Sequence, residues 1–183
     1  MKKKILFISG GGDKGYEADA KLVASLQLAL GAPYEVRYPR MQTDEAEPDF
    51  GWCRQIGNEI AAIKGEVILV GHSLGASMLL KYLTENEVKK QIGGIFLIST
   101  PFWKGEEDWV QGIKLQEGFS DSLPRDVPVY LYHCYDDEEV PFAHLLLYAQ
   151  KVPRATVCEI PRGGHQLDND LTIVAGNIKK EIK

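Results

Sequence analysis

The sequence predicts an α/β protein: a doubly wound parallel sheet of about six strands with helices on both faces. Two observations carry this. Apolar, strand-length runs alternate with stretches of helical periodicity along the 183 residues, without a repeat or a low-complexity linker, which is the pattern of successive βαβ units. The run Glu66-Val67-Ile68-Leu69-Val70 is nearly all apolar and β-branched, as expected of a parallel strand covered on both sides. Right-handed crossovers then favour the strand order 2-1-3-4-5-6.

Taken in order, a first strand is expected over 4–9, followed by a glycine-rich loop from Gly10 to Gly15. A helix then runs to about Leu30, with Leu22, Val23, Leu26 and Leu30 on its buried face and Gly31 as its stop. A second strand over 34–38 ends at Pro39, and 40–48 reads as polar loop. Trp52, Ile56, Ile60 and Ile63 recur every three or four residues until Gly65, giving the second helix. The third strand, 66–70, feeds Gly71-His72-Ser73-Leu74-Gly75; beyond it Leu74, Met78, Leu79, Tyr82 and Leu83 fall at helical spacing. Strands over 94–99, 129–133 and 156–160 and helices over 142–150 and 167–178 complete the pattern.

The length suits one domain over 1–183, burying about 70% of its unfolded surface. A formal net charge of −5 and the absence of a basic patch argue against nucleic acid or an anionic membrane as partner. Met1-Lys2-Lys3-Lys4 precedes an apolar run that stops at Ser9-Gly10, too short for a secretory signal. Cys53, Cys134 and Cys158 are odd in number, with no metal-ligand spacing, so a cytoplasmic location is expected.

Gly-x-Ser-x-Gly between a strand and a helix places Ser73 on a sharp turn. Its hydroxyl is pushed out above the sheet, beside the unpaired N–H groups of a helix N-terminus. Ligands of open parallel sheets bind beyond the carboxyl ends of the strands. There the sequence delivers Ser73, Asp136-Asp137 after strand five, and Gly163-Gly164-His165 after strand six. Elimination selects His165: His72 lies inside the turn, His144 lies on a helix, and His133 precedes both acids. Either aspartate suits the acid at this point, the other being a cap or a solvated charge.

These residues, across nearly the whole chain, resemble the α/β-hydrolase superfamily, and within it the compact serine hydrolases without a large cap that are similar to retinoblastoma-binding protein nine. The resemblance implies Ser73 as nucleophile, Asp137 in Asp-x-x-Val-Pro as the acid and His165 in Gly-Gly-His as the base. It implies oxyanion donors at the Leu74 N–H and, in the loop after strand one, at Gly11. There Ser9-Gly10 stands in place of the family's common His-Gly. The reaction so implied is acyl transfer from a small-molecule ester, thioester or amide, without a metal or organic cofactor.

Two other readings compete. Gly10, Gly12 and Gly15 satisfy Gly-x-Gly-x-x-Gly after a strand, the dinucleotide fingerprint. The acid expected at the end of strand two is missing, and Arg40 there suits a 2′-phosphate, so this reading is NADP binding. The other is a hydrolase fold with a silent site. Between strands four and five, Phe102, Trp103, Trp109, Ile113, Leu115 and Phe119 suggest a short lid, with Phe102 and Trp103 in a partly apolar substrate pocket.

Overall fold

Residues 2–12, 14–105 and 107–182 are described by the computed structural model of the protein. Six strands, β1 (Lys3–Ile8), β2 (Tyr34–Arg37), β3 (Val67–His72), β4 (Ile92–Ile98), β5 (Val129–Cys134) and β6 (Thr156–Ile160), form one all-parallel sheet in the order β2-β1-β3-β4-β5-β6. This is the predicted order. The helices are α1 (Gly15–Leu30), α2 (Trp52–Ala62), α3 (Leu74–Glu85), α4 (Asp108–Ile113), α5 (Ala143–Lys151) and α6 (Thr172–Glu181).

Alternation along the strands divides the core in two. Ile5, Phe7, Ile68, Val70, Phe96 and Ile98 turn to one face and pack against Leu22 and Leu26 of α1 and Val174 and Ile178 of α6. Leu6, Ile8, Leu69, Ile95 and Leu97 turn to the other, beneath Ile56 and Ile60 of α2, Leu79 of α3 and Leu145 and Tyr148 of α5. Each fully buried side chain of this size contributes about 1.5 to 3 kcal/mol. β3 is buried at every residue, as its continuous apolar run requires.

The differences from the sequence reading have local causes. β4 starts at Ile92 because a register shift at Val67/Ile68 lets Val67 pair with Ile92 and Ile68 with Gly94. The last helix starts at Thr172, not at 167. Leu167, Asp168 and Asn169 have positive φ, and Asp170 receives the Thr172 N–H at 2.8 Å at the new start. The short helix α4 was not expected, since six residues are too few to display a period. On α1, Val23 is only partly buried, and Asp19 takes a place on the buried face instead.

Candidate active site

Every predicted site residue lies beyond the carboxyl ends of the strands. Ser73 follows β3 at φ 51° and ψ −125°, a conformation that costs of order 1–3 kcal/mol and persists because its surroundings impose it. Its N–H donates to the Ile98 carbonyl at 2.9 Å and its carbonyl accepts the Ala76 N–H at 3.0 Å, clamping the turn from both sides. The two flanking glycines are required by close approach. A Cβ on Gly75 would stand 2.3 Å from the Ser9 carbonyl oxygen, and one on Gly71 2.7 Å from the Ala76 Cα. Leu74 opens α3, where a backbone N–H has no acceptor within the helix.

His165 is held by two neighbouring acids, Asp137 through its ring and Glu138 through its backbone. Its Nδ1 stands 3.0 Å from both carboxylate oxygens of Asp137, whose side chain is fully buried. Asp137 also accepts the backbone N–H groups of Glu139 at 3.0 Å and Val140 at 2.8 Å, and His133 Nε2 lies 3.2 Å away. Burial alone would raise the Asp137 carboxyl; the bonds from His133, His165 and Val140 outweigh it and hold the group far below the usual carboxylate range. Burial likewise depresses His165, but the hydrogen bond and charge of Asp137 prevail and hold the imidazole above its ordinary value. With the Nδ1 proton committed to Asp137, Nε2 is the free acceptor of the neutral ring.

Asp136 points the other way and accepts the N–H groups of Gly163 at 3.4 Å and Gly164 at 3.0 Å. It is therefore neither a helix cap nor simply a solvated charge: it secures the turn that carries His165. Glu138 accepts the His165 N–H at 3.1 Å, and the exposed Glu139 carboxylate lies 3.6 Å from His165 Nε2.

The loop after β1 lies against the serine turn. A Cβ on Gly10 would stand 3.4 Å from the Ser73 Cβ, and one on Gly11 would stand 2.4 Å from Leu74 Cδ2. The Gly10 N–H is committed to Asp19 Oδ2 at 2.8 Å. Among the described residues, no acceptor is placed on the Gly11 N–H.

Beside Ser9, Gly10 and Leu74 opens a cleft of about 620 Å³, walled by Met41, Phe50, Trp52, Trp103, Trp109 and Ile113. Arg40 and Gln42 stand at its rim. Trp103 and Trp109 meet edge to face at 5.6 Å, and Trp103 Nε1 donates to Ser77 Oγ at 3.2 Å. Phe102 instead lines a neighbouring cavity of about 470 Å³ that runs towards α5, with Trp103 bordering both. His144 of α5 anchors this segment by accepting the Phe102 N–H at 2.9 Å.

Arg40 is engaged by the Glu17 carboxylate and lies 4.5 Å from the centre of the Tyr16 ring. Among the described residues no three His, Cys, Asp or Glu side chains are grouped to hold a metal ion, and no helix is long and apolar enough to cross a membrane.

Sequence reasoning missed Asp19, His133 and Glu138. Asp19 carried a signal: it shares the spacing of Leu22, Leu26 and Leu30, an acid on an otherwise apolar stripe. Glu138 carried none, being one of four consecutive acids.

A family profile described as serine hydrolase matches residues 24–170. YdeN of Bacillus subtilis (strain 168), named as a hydrolase, is 30% identical over 107 residues, 56% of this chain and 54% of YdeN. The chain thus spans about half the length of that curated relative. Among solved structures, a serine hydrolase involved in carbazole degradation, the CarC enzyme, superposes with a TM-score of 0.72 at 14% identity over 98% of this chain and 90% of its own. SOBER1 of Arabidopsis thaliana does so with a TM-score of 0.71 at 17% identity over the whole of both chains. These likenesses are of fold.

Proposed function

The chain belongs to the serine hydrolase family, and from that premise we propose that it cleaves small carboxylic esters, and thioesters or amides of similar acyl group, by acyl transfer through Ser73. The observation that carries this reading is the Asp137–His165 pair at 3.0 Å, set on the same sheet edge as the strained Ser73 turn.

A serine hydroxyl is a weak nucleophile until a base takes its proton as it attacks. In the proposed cycle His165 Nε2 takes that proton. Asp137 keeps the imidazole proton on Nδ1 and stabilises the imidazolium that forms. The N–H groups of Leu74 and Gly11 receive the charge of the tetrahedral intermediate. His165 then protonates the leaving group, and water, activated by the same ring, hydrolyses the acyl-enzyme. The aromatic wall of the cleft supports an apolar acyl or aryl group as the preferred substrate portion. The three cysteines are free thiols, which supports a cytoplasmic location.

The test is labelling by a fluorophosphonate probe together with hydrolysis of p-nitrophenyl acetate and butyrate. Both are expected of the parent protein. In Ser73→Ala, labelling should vanish and kcat should fall by about 10⁴ to 10⁶. Labelling that persists in this variant would place the nucleophile elsewhere, and a parent protein that neither labels nor turns over would overturn the reading.

A further inference from the structure

The reaction so described leaves one buried ionisable pair without a task, Asp19 and His72, each 1% exposed. We propose that Asp19, acting through His72 and the Gly10 N–H, is a positioning residue that locks the oxyanion loop and the loop carrying the base in register with Ser73. The inference rests on the reading of Ser73 as nucleophile.

Asp19 projects from the buried stripe of α1 and touches three separate segments. Its Oδ2 accepts the Gly10 N–H at 2.8 Å, just after β1, and stands 2.9 Å from His72 Nδ1 at the end of β3. Its Oδ1 accepts Gln166 Nε2 at 3.1 Å, in the loop after β6. His72 extends the reach: its Nε2 lies 2.9 Å from the His165 carbonyl oxygen, which also accepts the Ser99 hydroxyl at 3.3 Å, and its ring sits 4.7 Å from the His165 ring. One carboxylate thus ties together the neighbour of the proposed second oxyanion donor, the residue before the nucleophile and the backbone of the base.

Stability alone does not account for an acid at this position. Further along the stripe the buried residues Leu22, Leu26 and Leu30 are apolar, and a buried charge is often no more stabilising than a packed apolar substitute. A carboxylate is nevertheless suited to the geometry, since it is acceptor-only and meets N–H donors from every side here. Burial pushes the Asp19 carboxyl up, but the bonds from His72, Gly10 and Gln166 prevail and keep it below its ordinary value. Asp19 holds the Ser9–Gly10 peptide through the Gly10 N–H, and the Gly10 carbonyl is packed against the start of α1, where a Cβ on Gly15 would stand 2.4 Å from its oxygen. The Gly11 N–H shares a plane with that carbonyl, so the two constraints together limit its direction. Misplacement of a reacting group by about 1 Å can cost 10²-fold in rate, and loss of an oxyanion donor costs about 10² to 10³.

The test compares Asp19→Ala, Asp19→Asn and His72→Asn with the parent on p-nitrophenyl butyrate, with folding verified by circular dichroism at the assay temperature. Asp19→Ala should lose about 10²-fold in kcat with KM within about threefold of the parent, the signature of a lost transition-state interaction. Asp19→Asn retains an oxygen for the Gly10 N–H and should recover at least about tenfold of that loss; an acid needed only for global stability would leave kcat of the folded variants untouched. A folded Asp19→Ala with parental kcat overturns the inference, as does a loss that Asn does not recover at all. Should Asp19→Ala fail to fold, His72→Asn decides. It keeps an amide near Asp19 but cannot reach the His165 carbonyl, and parental kcat in this variant overturns the inference. Ser73→Ala run alongside separates the two claims: if it is silent while Asp19→Ala is fully active, only the positioning role falls. If Ser73→Ala keeps parental turnover, both fall.

Discussion

Asp137 and His165 are joined by one ring nitrogen placed 3.0 Å from each of two carboxylate oxygens. The bond fixes the tautomer of the imidazole, and the buried carboxylate is itself immobilised by Val140, Glu139 and His133. Asp137→Asn keeps the shape but allows the amide to donate, which moves the ring proton to Nε2, where a base must be bare. The expected outcome is a fall in kcat of about 10⁴ in a folded protein. Asp136→Asn should cost far less activity, because the remaining oxygen still receives a Gly163 or Gly164 N–H. Steady-state kinetics on both variants check the order, and its reversal would reassign the acid.

The rate should depend on pH through His165. The base acts only when neutral, so activity rises as the imidazolium loses its proton. Asp137 favours the charged form, which displaces that step upwards. The acidic limb of kcat/KM is therefore expected to have its midpoint above about 6.5, the unperturbed histidine value. Asp137→Asn removes the favourable charge and should move the limb of the residual activity to lower pH. A parental midpoint below the reference value would contradict the assignment.

Trp109 is a wall of the cleft whose truncation ought to spare the fold, since its side chain is 54% exposed and its ring partner is Trp103. Trp109→Ala should raise KM for p-nitrophenyl butyrate by up to about tenfold, the size of an aromatic contact of 0.5–1.5 kcal/mol. Acetate esters, too short to reach the wall, should change little. Equal effects on both esters would remove Trp109 from the substrate site.

The sheet was legible because its central strands β1, β3 and β4 announced themselves by apolar runs with a glycine or a proline soon behind them, and right-handed crossovers leave few orders open. The serine turn was legible for the same reason: Gly71 and Gly75 are forced by backbone contacts that any such turn must make. Asp137 could be told from Asp136 by resemblance but not by local pattern, because which of two adjacent side chains faces His165 is set by the turn after β5. The Asp19–His72 pair was not read at all. Its contacts join residues 53 apart in sequence, and a hydrogen bond across that distance leaves no period.

Two glycine-to-alanine substitutions should act with opposite sign. In helices the exchange normally gains stability, since alanine loses less backbone freedom on folding and favours the helix by about 0.8 to 1 kcal/mol. Gly176 lies within α6, exposed, and a Cβ there would meet nothing within 4 Å. Gly176→Ala should therefore stabilise the protein by about that amount. Gly75 lies in the first turn of α3 and shares the same intrinsic gain. Its Cβ, however, would stand 2.3 Å from the Ser9 carbonyl and 2.4 Å from that of Ile8, main-chain atoms at and just beyond the end of β1 that cannot swing aside. Relieving that overlap requires α3 to move off β1, an overpacking cost of about 1 to 3 kcal/mol or more, which cancels the gain and exceeds it. For a chain of this size each kcal/mol shifts Tm by about 2 to 4 °C, so thermal unfolding resolves both changes. Because the same movement would carry Leu74 and Ser73 away from the Gly10–Gly11 loop, Gly75→Ala should also lose turnover at temperatures where it is fully folded, whereas Gly176→Ala should retain it. Parental kcat in a folded Gly75→Ala would show that the site tolerates displacement of the helix that bears its nucleophile.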